Sequence, residues 1–229
     1  MKIRPLQNLG TLILGLMLIL SGPCNSADAI QRLKLKNMTM AQSEHGRQLL
    51  KYLVSCALGP ALTVSFDAAG QSFEYPGGLG LVPHWSRRAL TLDEEQLISA
   101  CILARTNYFG KTVKLSMRSE SPTALLADEA ELRDFTFFEA AFFGNIFKDE
   151  PEYFVCLGDP IAEREKHLEA LLRVCSLSLP RGPSPVSSHS ELGKSRCGFS
   201  IVGYCSSKPF RQNEQDYSRS VLQIYLPGK

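Results

Sequence analysis

The sequence predicts an α+β domain in which several helices pack on a small mixed or antiparallel sheet and disulfide bonds stabilise the fold. Three observations predict this class. An apolar stretch at residues 91–110 has helical spacing and a capping signal at each end. Short runs on both sides of it alternate apolar and polar residues, as half-buried strands do. An even set of cysteines remains once an N-terminal signal is removed, which is typical of an exported, disulfide-bonded chain.

Residues 1–29 have the organisation of a cleavable secretory signal. Lys2 and Arg4 give it a basic start, and residues 12–20 are apolar. The Ala-Asp-Ala sequence at 27–29 supplies the small residues that a signal peptidase requires. We therefore predict that the protein is secreted or periplasmic after cleavage of this signal.

The same N-terminal stretch argues against a membrane or lipid anchor. Its apolar run is about fourteen residues long, whereas a membrane-spanning helix needs roughly twenty, so we expect no stable transmembrane anchor. A lipidated cysteine normally follows a small residue, but Pro23 precedes Cys24. We therefore expect no lipid attachment at Cys24.

The first elements after the signal are predicted to be a helix and a β-hairpin. Helical spacing of apolar residues runs from about residue 40 to a Gly-Pro pair at 59–60, which ends the helix. Residues 62–66 and 73–75 then alternate around a short turn at 67–70, as the two strands of a hairpin do.

Residues 91–110 are predicted to form the central helix of the fold. Thr91 and Glu94 have the spacing of a capping box, and Gly110 suits the position after the last helical residue. The middle of this stretch is apolar nearly all round, so we expect it to lie inside the core. Alternation at 112–117 predicts a strand directly after the helix.

The second half of the chain is predicted to contain two more helices. Residues 128–147 have helical character and many phenylalanines, and a helix from 159 to about 174 opens with an Asp-Pro capping signal. An apolar strand at 153–157 separates them, and another strand is expected at 221–226.

These elements predict one domain with a tail. The mature chain of about two hundred residues is long enough for one core, which we place at residues 30–179. Residues 180–196 are rich in proline and serine, so they are predicted to be a loop or linker. Residues 197–229 are predicted to be a β segment that docks on the domain.

The cysteines predict three disulfide bonds, because six remain after Cys24 leaves with the signal. One pairing joins the buried stripes of two helices, and the other two are the most local available, which costs the least loop entropy. A tail cysteine reaching back to the domain is the alternative. The predicted bridges are Cys56–Cys101, Cys156–Cys175 and Cys197–Cys205.

Four sequence stretches carry a family resemblance. Residues 53–58, 78–85, 98–107 and 139–145 resemble uncharacterised exported or lipoprotein-like bacterial proteins. The resemblance covers most of the mature chain. It implies a bacterial envelope or secreted setting and brings no activity with it.

Glu139 is the weak candidate for a catalytic residue. On the predicted helix it shares a column with Phe135 and Phe143, and aromatic surroundings would raise its pKa toward that of a general acid. The alternative is a boundary glutamate that reaches solvent, or a buried one satisfied by Arg105 or a backbone amide. A glycosidase also needs a second carboxylate. The available ones are Asp67, Asp93, Glu94 and Glu95.

The glycine-rich loop at 76–85 is a second place for a site. Tyr75, His84 and Trp85 could stack on a sugar or peptide at its rim. The alternative is that they anchor the loop to the core. The loop is weak evidence for phosphate binding, because it lacks the Lys-Ser or Lys-Thr pair of a P-loop.

Arg105 and Asn107 lie near the end of the apolar central helix. They are weak candidates for a polar pair that lines a pocket. The alternative is that Arg105 pairs with a carboxylate and Asn107 caps the helix.

Composition excludes several classes of function. The formal net charge is +2, so nothing in the charge balance favours binding to nucleic acid, which would need a basic face. No cysteine or histidine spacing has the form of a metal site, and we expect no cofactor. The leading hypothesis is a binding or structural protein of the cell envelope or extracellular space, whose partner is an unknown ligand or envelope protein. The alternative is a secreted hydrolase that acts on cell-wall or polysaccharide material with Glu139 as its general acid.

Overall fold

A computed structural model describes residues 31–36, 42–68, 70–86, 88, 90–106, 112–119, 125–158 and 198–228. Contacts between residues divide the chain into an N-terminal unit that ends at Ile98 and a C-terminal unit that begins at Ser99. The division falls within the central helix.

The N-terminal unit is a small sheet with helices. Its elements are β1 (Gln31–Lys36), α1 (Glu44–Ala57), β2 (Leu62–Ala68), β3 (Gln71–Pro76), a 3₁₀-helix (Pro83–Ser86) and the first part of α2 (Leu92–Ala104). The C-terminal unit is mainly strands. Its elements after α2 are β4 (Ser116–Ser119), α3 (Glu129–Asp134), β5 (Phe137–Asn145), β6 (Glu152–Leu157), β7 (Ser200–Tyr204), a 3₁₀-helix (Cys205–Ser207), β8 (Arg211–Gln212), β9 (Gln215–Asp216) and β10 (Leu222–Leu226).

The predicted fold class is wrong for the part of the chain that the structure describes. That part contains ten strands and three α-helices, and its largest sheet has five strands. Several helices packed on a small sheet therefore do not describe this protein.

The main error lies at residues 128–147, which were predicted to be one helix. The helix α3 ends at Asp134, and β5 begins at Phe137. Every residue of β5 from 139 to 145 is buried, so both faces of the strand are covered. A strand that is buried on both faces loses its polar alternation, and an apolar run of this kind cannot be told from a buried helix by periodicity.

The small sheet contains the predicted hairpin. β1 runs parallel to β2, and β2 pairs with β3 in antiparallel fashion with Val64 opposite Tyr75. Phe66 stacks on Phe73 and meets Tyr75 edge-on, so three aromatic rings share one face of the hairpin. These contacts confirm the alternation at 62–66 and 73–75.

The central helix α2 confirms the predicted capping box. The Thr91 N–H donates to Glu94 Oε2 at 2.8 Å, and the Glu94 N–H donates to Thr91 Oγ1 at 3.4 Å. Arg88 adds two hydrogen bonds to the same carboxylate, at 2.6 and 2.7 Å. The helix is buried from Ile98 to Ala104, where it ends, and the predicted end at Gly110 lies outside the described residues.

The five-stranded sheet has the order β4-β10-β5-β6-β7. β10 pairs antiparallel with both β4 and β5, and β6 runs parallel to β7. The strands predicted at 153–157 and 221–226 are confirmed as β6 and β10, whereas the strand predicted at 112–117 begins only at Ser116. The segment after residue 197 thus supplies both an outer strand and a strand between β4 and β5.

Two of the predicted disulfide bonds are wrong. Cys156 is bonded to Cys205, with 5.0 Å between their Cα atoms, and this pairing excludes both Cys156–Cys175 and Cys197–Cys205. The cause is the sheet register: Tyr204 pairs with Leu157, so the residue that follows β7 lies beside β6. The pairing of distant strands, and not the entropy of closing a short loop, therefore determines which cysteine bonds to Cys156.

The remaining disulfide prediction is still open. Cys56 and Cys101 are both disulfide-bonded cysteines, and their pairing with each other stays a prediction. Cys175 and Cys197 lie outside the described residues, as do the helix predicted at 159–174 and the linker predicted at 180–196. In the regions that are described, no helix has the length and apolar content to cross a membrane.

Candidate functional site

Glu139 lies on a strand and not on the predicted helix. Ala140 pairs with Ile224 and Phe138 pairs with Tyr225, so Glu139 is the extra residue of a β-bulge between β5 and β10. Its backbone carbonyl accepts a hydrogen bond from the Gly158 N–H at 2.9 Å. The residue is 0% exposed, so its carboxylate lines no open cleft. This burial removes the geometric premise of a hydrolase that uses Glu139 as its general acid.

The glycine-rich loop caps the C-terminal end of α1. A helix leaves its last carbonyl groups without internal partners. The N–H groups of Leu79, Leu81 and Val82 donate to the Ser55, Cys56 and Ala57 carbonyls at 2.8 to 3.1 Å. The Gly78 and Gly80 N–H groups both donate to the Leu58 carbonyl. Because these donors are bonded to the helix, they do not form a phosphate cradle.

The close contact between loop and helix explains its glycines. A Cβ on Gly77 would lie 2.1 Å from the Gly59 carbonyl oxygen, and a Cβ on Gly78 would lie 2.8 Å from the Ser55 carbonyl oxygen. Only a residue without a side chain allows the two backbones to approach in this way.

The predicted ligand rim is only partly exposed. Trp85 is buried in the 3₁₀-helix next to exposed His84, and Tyr75 is half-buried against Phe66. Burial raises the pKa of Tyr75, which the positive charge of Arg47 partly offsets. The Arg47 guanidinium also lies 5.0 Å from the centre of the Phe73 ring. These contacts favour the interpretation of Tyr75 and Trp85 as anchors of the small sheet and its loop.

Of the predicted pair Arg105 and Asn107, the described residues include Arg105. Arg105 is half-buried just after α2, and its N–H donates to the Ile102 carbonyl at 3.2 Å. Asn107 lies outside the described residues. The roles of Arg105 and Asn107 as pocket-lining groups therefore stay predictions.

Sequence reasoning missed a polar cluster around Glu152, at the start of β6. The Tyr217 hydroxyl donates to Oε2 of this carboxylate, and Asn213 Nδ2 donates to Oε1 at 2.9 Å. Lys148 Nζ lies 2.9 Å from Oε2 and supplies the opposite charge. Tyr217 is 65 residues away from Glu152 in sequence, so no local pattern indicates the cluster.

The pKa directions of Glu152 and Tyr217 indicate a structural role for this cluster. Burial raises the pKa of Glu152, but hydrogen bonds from Tyr217, Asn213 and Lys148 outweigh it and hold the pKa below the ordinary glutamate value. Burial and the adjacent carboxylate raise the pKa of Tyr217. A carboxylate that accepts three donors is a stable anion, and a tyrosine that donates to it stays protonated. The cluster therefore holds chain segments together and is poorly suited to proton transfer.

The helix α3 presents a different kind of surface. Its N-cap Asp128 accepts the Glu131 N–H at 2.7 Å, and at its other end Arg118 Nη2 donates to the Phe135 carbonyl at 2.7 Å. None of its residues is buried. Leu132 on the helix and Leu126 just ahead of it are 50% and 75% exposed.

No protein-family model, curated protein or solved structure matches this chain. Within the described ranges, no group of three or more histidine, cysteine, aspartate or glutamate side chains is placed to hold a metal ion. Function must therefore be inferred from the surfaces and bonds above.

Proposed function

We propose that this chain is an exported, disulfide-bonded binding protein of the cell envelope or extracellular space, and that α3 carries its partner-binding surface. The cysteine chemistry supports the location. Cys56, Cys101, Cys156 and Cys205 are all disulfide-bonded, and such bonds persist mainly in oxidising compartments. The signal-like sequence at 1–29 and the resemblance to exported or lipoprotein-like bacterial proteins agree with that location.

The observation that carries the binding proposal is that α3 is fixed at both ends but buries none of its residues. A six-residue helix is not stable by itself, and most helices gain stability by burying an apolar face. Here the polar caps from Asp128 and Arg118 supply the order instead. Leu132 is therefore left exposed on an ordered helix, and Leu126 is exposed just ahead of it.

The charges around these leucines indicate the chemistry of the partner. The helix and its N-cap carry four carboxylates, and its one cation, Arg133, is bonded to Asp134 at 2.9 Å. An acidic surface with apolar side chains complements a surface that is apolar and flanked by basic residues. We assign the partner to an envelope protein that presents such a surface.

Site-specific photo-crosslinking tests this proposal. A photoreactive phenylalanine derivative at Leu132 should crosslink one envelope protein in the cells that produce the chain. Leu126→Asp should remove that product, because a charge at this position, where the leucine is 75% exposed, repels an apolar partner. The matched control places the same photoreactive group at Ser72, an exposed position of β3 in the other unit. Identical products at both positions, no product at Leu132, or a product unaffected by Leu126→Asp would contradict the proposal.

A further inference from the structure

One segment of the C-terminal unit is fastened to β6 at both of its ends. Residues 205–217, which we name the strap, begin with Cys205, whose disulfide bond reaches Cys156. They end with Tyr217, whose hydroxyl donates to Glu152. The two attachment points lie four residues apart on one strand.

The strap covers an aromatic surface of the sheet. Phe210 meets the Phe143 ring edge-on with 5.5 Å between centres, and the Tyr217 ring lies 5.8 Å from the rings of both Phe143 and Phe154. Cys156 and Cys205 belong to the same buried cluster. Opening the strap would therefore expose Phe143 and Phe154 to solvent.

The closed strap contains strained backbone. Lys208, Asn213 and Glu214 have φ angles of 50°, 47° and 66°, which is the left-handed region. Asparagine tolerates this conformation, but lysine and glutamate adopt it at a cost. Asn213 and Glu214 form the two-residue turn between β8 and β9, where glycine is the usual second residue. Strain of this kind persists only where surrounding contacts hold it.

We propose that the strap is a redox-controlled cover: the Cys156–Cys205 bond holds it closed, and reduction by a dithiol lets it open and expose the aromatic surface of Phe143 and Phe154. Two anchors and an aromatic cluster oppose the backbone strain in the oxidised protein. After reduction the hydrogen bonds from Tyr217 and Asn213 to Glu152 and the ring contacts remain.

The reaction is a thiol–disulfide exchange that transfers two electrons. One thiolate of the dithiol attacks Sγ of Cys205, because Cys205 is the less buried residue of the pair, 8% exposed against 0% for Cys156. Cys156 leaves as a thiolate and takes up a proton. The second thiol of the reductant then loses its proton and attacks the reductant sulfur that is bonded to Cys205. Cys205 leaves as a thiolate and takes up a proton. The reductant is oxidised to its disulfide, and the protein gains two electrons and two protons.

Hydrogen exchange measured by mass spectrometry on the purified protein tests the proposal. Cys156→Ala/Cys205→Ala leaves Cys56 and Cys101 bonded and removes only the first anchor. In the variant, residues 205–217 should exchange at least tenfold faster than in the natural chain and at least tenfold faster than β5 and β10, whose exchange reports global unfolding. A rise of less than threefold, or exchange of residues 205–217 no faster than that of β5 and β10 in the same variant, would overturn the proposal.

Two further variants keep the test decisive if the double variant does not fold. Tyr217→Phe keeps the ring and removes the second anchor in the oxidised protein, so exchange should rise at the 211–217 end alone. Lys208→Gly/Glu214→Gly removes the left-handed strain and should slow opening of the strap in the oxidised protein. No change with Tyr217→Phe, or faster exchange with the glycines, would contradict a strained cover held by two anchors.

Discussion

Removal of the Cys156–Cys205 bond should destabilise the protein by several kcal/mol. The two cysteines are 49 residues apart in sequence. For a loop of that length, the chain-entropy account gives about 4 kcal/mol of stabilisation, because the bond restricts the unfolded chain. A whole domain is typically stable by only about 5–15 kcal/mol, so the loss should be easy to measure.

Urea unfolding followed by circular dichroism measures this loss in Cys156→Ala/Cys205→Ala. Alanine adds no polar group, so the free energy of unfolding should report the loss of the crosslink together with the cavity that the two missing sulfur atoms leave. The dependence of that free energy on urea should also steepen, because the unfolded chain without the bond is less compact.

The neighbouring exposed residue provides the matched control. Ser206→Ala should change the free energy of unfolding by less than about 0.5 kcal/mol, as surface substitutions usually do. A double alanine variant that loses less than about 1 kcal/mol would refute the reasoning, because the bond would then not restrict the unfolded chain as the 49-residue separation requires.

Three other substitutions test separate parts of the structure by the same unfolding assay. Gly78→Ala should cost about 1–3 kcal/mol, since its Cβ would lie 2.8 Å from the Ser55 carbonyl oxygen. The control Gly59→Ala should cost little, because a Cβ there would have no atom within 4 Å. Equal effects of the two substitutions would contradict the close contact between the loop and α1. Ile98→Ala should cost about 2–5 kcal/mol because Ile98 is fully buried. Leu97→Ala should cost less, because Leu97 is only half-buried. The reverse order of these two costs would contradict the burial of α2. The pKa of Glu152 lies below its ordinary value, so its bonds to Tyr217 and Lys148 stabilise the fold above about pH 4.5 and lose that effect as the pH falls through the folded pKa. Glu152→Gln should therefore be less stable than the natural chain at pH 7, with a smaller difference at pH 3; a difference independent of pH would contradict this.

Local signals in the sequence predicted the elements whose causes are local. Thr91 and Glu94 start α2 as a capping box should, because both partners lie within one helical turn. The alternation at 62–66 and 73–75 gives the hairpin, since Val64 and Phe66 pair with Tyr75 and Phe73 and lie on one face of it. Strands β6 and β10 were short enough and apolar enough to be placed correctly.

The features that the sequence did not predict depend on contacts between residues that are distant in sequence. Burial on both faces of β5 removed the alternation that marks a strand, so Glu139 was placed on a helix. Insertion of β10 between β4 and β5 is a property of the whole sheet. The Tyr217–Glu152 bond joins residues that are 65 positions apart in sequence. The glycine-rich sequence at 77–82 suggests a ligand-binding loop, and only the folded structure shows that its N–H groups are bonded to the carbonyls at the end of α1.

Non-reducing peptide mapping of protein recovered from outside the cytoplasm tests most directly the central claim, an exported chain held by disulfide bonds. The expected result is a fragment that joins Cys156 to Cys205, a second that joins Cys56 to Cys101, and a mature N-terminus at Ile30. Cys156 and Cys205 recovered as free thiols, or an N-terminus that keeps residues 1–29, would contradict it.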